Sequence, residues 1–248
     1  MPEDRFDEGV AETYDEDVSE AFDPSVLEPI VDELARLASG GSALEFAIGT
    51  GRVALPLSTR GVSVRGVELS EAMVARLRSK PGGDERSIPV AIGNIATTQV
   101  DGAGSFSLVY LVFNTIMNLS TQEAQVACFQ NAAHHLAPGG VFAVESLVPR
   151  LQWLPPGQRF VPFDVSPHHI GIDEYDVASQ TLVSHHTTFR NGSSRRVSVP
   201  FRYVWPSELD LMARIAGMRL SERWSDWAHA PFTNDSRSHI SLWKRNDP

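Results

Sequence analysis

A single cysteine, Cys128, among 248 residues excludes an internal disulfide and any multi-cysteine metal site, so neither a covalent staple nor a thiolate-held metal is expected. Long apolar runs are also missing: no stretch approaches the ~20 residues that carry a helix across a bilayer. Basic clusters are missing too. The 21 Lys and Arg are scattered among 31 Asp and Glu, and the net charge of −10 repels phosphate backbones and anionic lipid. No nucleic acid and no membrane partner is therefore expected. The opening Met1-Pro2-Glu3-Asp4-Arg5-Phe6-Asp7-Glu8 is acidic with no apolar region behind it, which reads as no secretory leader and a cytoplasmic protein.

What is present suits a globular α/β chain. Hydrophobic content of 42% against 21% charged residues, over this length, buries one substantial core. Short apolar runs alternate with helical patterns: strands Ala43 to Ile48, Val62 to Val67, Pro89 to Gly93, Ser107 to Phe113 and Val141 to Leu147, with helices Arg52 to Thr59, Glu71 to Ser79 and Gln122 to Leu136 between them. Strands that are apolar throughout imply a parallel sheet covered on both faces, hence a doubly wound, Rossmann-like α/β domain. Before it, residues 1–40 read as a helical lid, with Tyr14, Val18 and Phe22 on one face, then a helix from Ser25 to Ala38 burying Val26, Ile30, Leu34 and Leu37. After the core of residues 41–147, residues 148–205 are rich in Pro, His and aromatics and read as an inserted β-rich cap. Two strands are expected there, Thr181 to Arg190 and Arg196 to Val204, joined across Asn191-Gly192-Ser193-Ser194. Residues 206–248 supply a helix and two final strands. All of this counts as one domain.

The most informative segment is Glu45-Phe46-Ala47-Ile48-Gly49-Thr50-Gly51-Arg52, where a buried strand breaks into a Gly-x-Gly turn before a helix. Glycines admit dihedrals and close approaches that a side chain blocks, and the next helix offers unpaired N–H groups to a ligand. About twenty residues on, a second strand ends in Glu68, a carboxylate able to accept both hydroxyls of a ribose. The form Gly-x-Gly-x-x-Ala at Gly49 to Ala54 also satisfies the dinucleotide fingerprint, so a nicotinamide cofactor stays open at this point.

Together with Gly93-Asn94-Ile95 and His135-Leu136-Ala137-Pro138-Gly139-Gly140-Val141, these segments resemble the class I S-adenosylmethionine-dependent methyltransferases along essentially the whole chain. Within them, the likeness is to bacterial small-molecule enzymes acting on amino sugars and other secondary metabolites. The resemblance implies a seven-stranded sheet with a reversed terminal strand, S-adenosyl-L-methionine as cofactor and S-adenosyl-L-homocysteine as product. It implies that Glu45 orients the loop or meets the methionine ammonium, that Ala47, Gly49, Gly51 and Arg52 line the cofactor, and that Glu68 holds the ribose. Leu69 and Met73 would flank adenine, with Gly93, Asn94 and Ile95 at its edge. Val112, Phe113 and Asn114 would line the crevice, and Tyr14 would close over the sulfonium. Ala47 stands where the family carries its first loop glycine, and Asn94 where it carries an acid whose acceptor role the amide oxygen can keep.

Candidate bases are sparse. Three adjacent pairs, His134-His135, His168-His169 and His185-His186, are no metal clamps, because neighbours on a helix or strand point apart. The first pair suits a helix end. His168, His169 and His185 lie in the cap and are the catalytic candidates for taking a proton from an acceptor, with Asp173, Glu174, Tyr175 and Glu145 as rivals. Val197, Val199, Phe201, Tyr203 and Trp205 alternate as a core face, with Arg202 opposite and solvated. The expected activity is methyl transfer to N or O of a small-molecule acceptor, with homo-oligomerisation left open. The alternatives are an NAD-dependent oxidoreductase, which lacks a Tyr-x-x-x-Lys donor here, and a cofactor-binding protein without turnover.

Overall fold

The computed structural model describes residues 6–190 and 192–246. Along the chain these form α1 (Glu8–Asp17), α2 (Pro24–Ala38), β1 (Ser42–Phe46), α3 (Ala54–Thr59), β2 (Ser63–Glu68), α4 (Glu71–Arg78), β3 (Val90–Ile92), β4 (Phe106–Leu111), α5 (Gln122–His135) and β5 (Leu136–Leu147). Then follow β6 (Phe160–Val165), β7 (His169–Asp176), β8 (Thr181–Arg190), β9 (Ser193–Arg202), α6 (Pro206–Ile215), β10 (Met218–Trp224) and β11 (Ser238–Arg245).

The apolar runs pair as their composition requires. Seven strands lie in the order β10-β11-β5-β4-β1-β2-β3, all parallel except β11, which runs against both neighbours. This is the Rossmann-like sheet with a reversed terminal strand. One face packs on α5 and α6, where Phe129 meets Phe142 and Trp243 edge-on at 5.0 and 5.2 Å. The other face packs on α2, α3 and α4 through Leu34, Leu57, Leu77 and Tyr110, all fully buried. No helix among the described residues is long and apolar enough to cross a membrane.

The cap is a separate antiparallel sheet, β6-β7-β8-β9, rather than a hairpin alone. Strand β8 matches the one expected, whereas β9 starts at Ser193 and ends at Arg202, because Ser193 and Ser194 pair with Arg190 and Phe189 rather than turning; Asn191 lies outside the described residues. Strands β6 and β7 were not legible, because Pro162, Asp164, Asp173 and Glu174 interrupt their apolar alternation. Tyr175, Leu182 and Tyr203 anchor this sheet into the same core as Met117 and Leu209, so the cap shares the main hydrophobic core.

Three local readings need correction. Val26 is exposed, because the first turn of α2 precedes its contact with the sheet, and the buried stripe is Ile30, Val31, Leu34 and Ala38. Helix α5 stops at His135, and Pro138 to Gly140 form a bulge inside β5, where pairing with β4 skips from Leu136 to Val141. Arg202 is buried rather than solvated. It donates to Gln125 at 2.5 Å and Glu208 at 2.8 Å, tying the end of β9 to α5 and α6.

Candidate active site

The carboxyl ends of β1, β2, β3 and β4 converge where the strand order reverses on either side of β1, the place where open α/β sheets hold ligands. After Phe46 the backbone coils through three left-handed residues in five, Ala47 (φ 55°), Gly49 (φ 55°) and Gly51 (φ 81°). Helix α3 therefore begins only at Ala54, two residues later than its apolar pattern suggested. At Gly51 a Cβ would lie 2.3 Å from Leu77 Cδ1, so a glycine is needed there for packing as well as conformation. Ala47 takes the same left-handed backbone with a methyl group in place, which is strained. Ala47→Gly is expected to stabilise the chain by about 0.5–1 kcal/mol, the strain relieved less the added flexibility of the unfolded chain. A melting temperature unchanged or lowered in thermal denaturation would show that the loop carries no such strain.

Glu68 organises the centre of the crevice. One of its oxygens accepts from Gly49 N at 2.8 Å, and the other from Leu69 N and Ser70 N at 2.9 and 3.0 Å. Met73 lies beneath, its Cε 3.4 Å from where a Cβ on Gly49 would be. Gly93 donates to the Glu68 carbonyl at 2.7 Å, and a Cβ there would collide with Thr98 Oγ1. The Asn94 side-chain oxygen accepts from Ala96 N at 2.9 Å, capping the turn after β3. The Ile95 side chain is buried, and its carbonyl accepts from Asn131 at 2.8 Å.

Beyond β4, Phe113 (φ 60°) and Asn114 (φ 61°) are consecutive left-handed residues outside glycine, next to buried Val112. Glu145 at the end of β5 holds them: its carboxylate accepts from Phe113 N at 2.8 Å and from Trp227 Nε1 at 3.1 Å. Glu145 is thus occupied as an anchor, which sets it aside as a free base. Arg52 lies over the Phe113 ring at 4.9 Å and donates to the Ala21 carbonyl at 3.1 Å.

Helix α1 lies against this crevice. Tyr14 is half-buried, with Arg52 and Glu68 as charged neighbours, and burial pushes its hydroxyl above the usual phenol range. Asp15 accepts from Thr50 Oγ1 at 2.6 Å and pairs with Lys80 at 2.5 Å, while Lys80 also reaches the Thr50 carbonyl at 2.8 Å. These contacts tie α1 to the glycine loop, and neither Asp15 nor Lys80 carries a motif that announces them.

Glu45 is fully enclosed at the end of β1, accepting from Tyr110 Oη at 2.8 Å. Tyr110 was missed because it is one aromatic within an apolar strand. Burial pushes the Glu45 carboxyl up to about 8, opposed by the Tyr110 hydrogen bond and the Arg52 charge. A carboxyl raised on folding keeps its proton in the native state where the unfolded chain has lost it, so its contribution falls as pH rises from about 5 to 8. Against a Glu45→Gln control, the wild type is expected to lose about 3 kcal/mol over that interval in chemical denaturation. Parallel pH curves for the two would sink that assignment.

The catalytic histidine candidates separate. His185 faces Glu174 at 3.2 Å and Ser198 at 2.8 Å on one face of the cap. His169 lies on the other face with Asp164 and His186, the member of the third pair that was not among the catalytic candidates. His168 sits in the turn before β7, apart from both. His135 accepts from Val100 N through Nε2 and donates Nδ1–H to the Asn131 carbonyl, a buried helix-end role. Among the described residues no cluster of three or more metal-ligating side chains occurs.

A family model for a methyltransferase domain matches residues 43–140, the stretch from β1 through the bulge of β5. The solved CcbJ methyltransferase from Streptomyces caelestis is 35% identical, with 96% of each chain covered and a TM-score of 0.83. The chain belongs to the class I S-adenosylmethionine-dependent methyltransferases. Cypemycin N-terminal methyltransferase from a Streptomyces species is 26% identical over 250 residues, 97% of each chain. The S-adenosylmethionine-bound CalS10, an amino pentose methyltransferase of Micromonospora echinaspora, shares the fold at 19% identity and a TM-score of 0.66, with 90% of this chain and 91% of that one covered. The methyltransferase uses S-adenosylmethionine, and the nicotinamide alternative is not favoured.

Proposed function

We propose that this methyltransferase moves the methyl group to a nitrogen or oxygen of a small molecule held between the cap, residues 148–205, and the carboxyl ends of β4 and β5. The observation that carries the reading is the Glu68 carboxylate, fixed by three backbone amides beside an open glycine turn. That donor and acceptor set fits an adenosine cofactor: the Glu68 carboxylate stands at the end of β2 where ribose hydroxyls would meet it, and Gly49 offers backbone without a side chain. Leu69, Met73, Gly93, Asn94 and Ile95 would surround the base, the last two through backbone and shape. Glu45, Ala47, Gly51, Arg52, Val112, Phe113 and Asn114 would form the loop and wall at the methionine end.

When bound, S-adenosylmethionine supplies a methyl group already activated on a positive sulfur. The chain's own work is then to align the acceptor, exclude water and handle one proton. Tyr14, carried by the lid of residues 1–40, presents an electron-rich ring and hydroxyl suited to that positive charge. The Asp15, Thr50 and Lys80 contacts hold the lid shut. One similar protein is named for an amino terminus and another for an amino pentose, which supports a small amine-bearing substrate over nucleic acid or membrane lipid.

Calorimetric titration with S-adenosylhomocysteine and, separately, NAD tests the cofactor site. Micromolar binding of the first alone is expected. Binding of NAD alone, or of neither, would overturn the assignment of these residues.

A further inference from the structure

Four hydrogen bonds run in series across one face of the cap. Asp164 Oδ2 lies 2.5 Å from His169 Nδ1, His169 Nε2 lies 3.0 Å from His186 Nδ1, and His186 Nε2 lies 3.2 Å from Ser184 Oγ. Ser184 then donates to Asp173 Oδ1 at 2.8 Å. The two ends differ. The Asp164 side chain is 42% exposed, whereas Asp173 is 7% exposed. The Phe163 ring packs on both imidazoles, at 6.2 and 5.4 Å, and Gly171 leaves room for it.

Asp173 stands beside the region where an acceptor would sit. It shares a face of β7 with Tyr175, which lines a small gap between cap and sheet together with Met117, Leu147, Arg150 and Leu182. Arg150 Nε is buried there with no hydrogen-bond partner among the described residues. The second oxygen of Asp173 likewise has no hydrogen-bond partner among them.

Counting hydrogens shows what the series can do. Each of four bonds needs one hydrogen. Two ionised carboxylates bring none, two neutral imidazoles bring one each, and Ser184 brings one. Three hydrogens serve four bonds, so the series is complete only with one extra proton, held as an imidazolium between two carboxylates. A series that alternates between three and four hydrogens takes up one proton and gives it back.

We propose, resting on the methyl-transfer reading, that this series is the proton exit for an amine acceptor that enters as an ammonium ion paired with Asp173. One N–H bond of the ammonium breaks and an O–H bond forms on Asp173, leaving the electron pair on nitrogen to attack the methyl group. Asp173 returns that proton to Ser184, each of Ser184, His186 and His169 takes a proton on one side and releases one on the other, and Asp164 loses the last to water. A buried carboxylate at the inner end suits a cation and gives a neutral alcohol no compensating charge. Burial holds the Asp173 carboxyl above its ordinary range and the His186 imidazole below its own, so both lie closer to the proton they exchange. The charged groups around the series are Asp164 on β6, Asp173 on β7, Arg150 from the segment after β5 and Arg195 of β9, opposite Thr188 at the outer end, with His185 of β8 acting through the sheet from its opposite face.

The test is nitrogen NMR of the histidine rings in the full chain, titrated from about pH 5 to 9 with and without saturating S-adenosylhomocysteine. His169 and His186 are expected to take up one proton between them at a shared midpoint. Asp173→Asn is expected to lower that midpoint by about half a pH unit, a threefold change. Methylammonium, the smallest alkylammonium, is expected to lower it in the wild type, and methanol is not. Ser184→Ala, which alters no charge, is expected to abolish the methylammonium response should the Asp173 variant fold poorly. Independent titration of the two rings, an unmoved midpoint in Asp173→Asn, or equal responses to methylammonium and methanol would each overturn the proposal. Calorimetry on the same sample separates the two readings: S-adenosylhomocysteine that binds while the rings titrate independently removes the relay alone, and loss of that binding removes the cofactor assignment instead.

Discussion

Replacing Glu68 by Ala lowers the affinity for S-adenosylhomocysteine by about 30-fold or more, a loss near 2 kcal/mol. The carboxylate holds Gly49, Leu69 and Ser70 by their amides, so its removal frees the glycine turn and leaves three N–H groups without their acceptor. Hydrogen bonds to a charged group contribute about 1.5–3 kcal/mol each, and water recovers part of that once the site opens. In the proposed cofactor site the same variant would also remove the acceptor for the ribose hydroxyls. A ligand lacking those hydroxyls separates the two effects in calorimetry: it loses affinity on Glu68→Ala only to the extent that the loop itself is disordered. Affinity for the intact product within threefold of wild type would show that Glu68 serves neither role.

The place of Glu68 at the end of β2 is the clearest case of a position legible in the sequence. A carboxylate at the end of a second parallel strand, about twenty residues after a glycine turn, has few structural uses, and the alternation of apolar runs and helices fixed the sheet beneath it. Its amide partners were invisible, because backbone direction in a loop is not encoded by residue type. Tertiary partners were invisible for a similar reason. Arg202 reads as an exposed strand residue until α5 and α6 bring Gln125 and Glu208 to it. Cap strands β6 and β7 escaped because the series from Asp164 to Asp173 places polar side chains on the face that apolar alternation would fill. The departures from local pattern therefore cluster at the crevice and cap, where chemistry competes with packing.

Glu145→Ala is expected to lower the melting temperature by about 4–10 °C and the affinity for S-adenosylhomocysteine by about tenfold. Each left-handed residue outside glycine costs about 1–2 kcal/mol, less for asparagine, so Phe113 and Asn114 hold their turn only because something offsets that cost. The Glu145 carboxylate does so by accepting from Phe113 N and from Trp227 Nε1, two donors set on different segments. Without it Phe113 relaxes toward ordinary backbone, its ring leaves the Arg52 guanidinium, and the crevice wall next to the glycine turn loses its shape. Glu145→Gln keeps one acceptor oxygen and should lose roughly half as much. Adding Phe113→Gly to Glu145→Ala should recover part of the melting temperature, because glycine takes the left-handed turn without strain. That recovery distinguishes stored backbone strain from simple loss of two hydrogen bonds. A double variant no more stable than Glu145→Ala would show that the turn is held by its neighbours and that Glu145 acts through Trp227 alone.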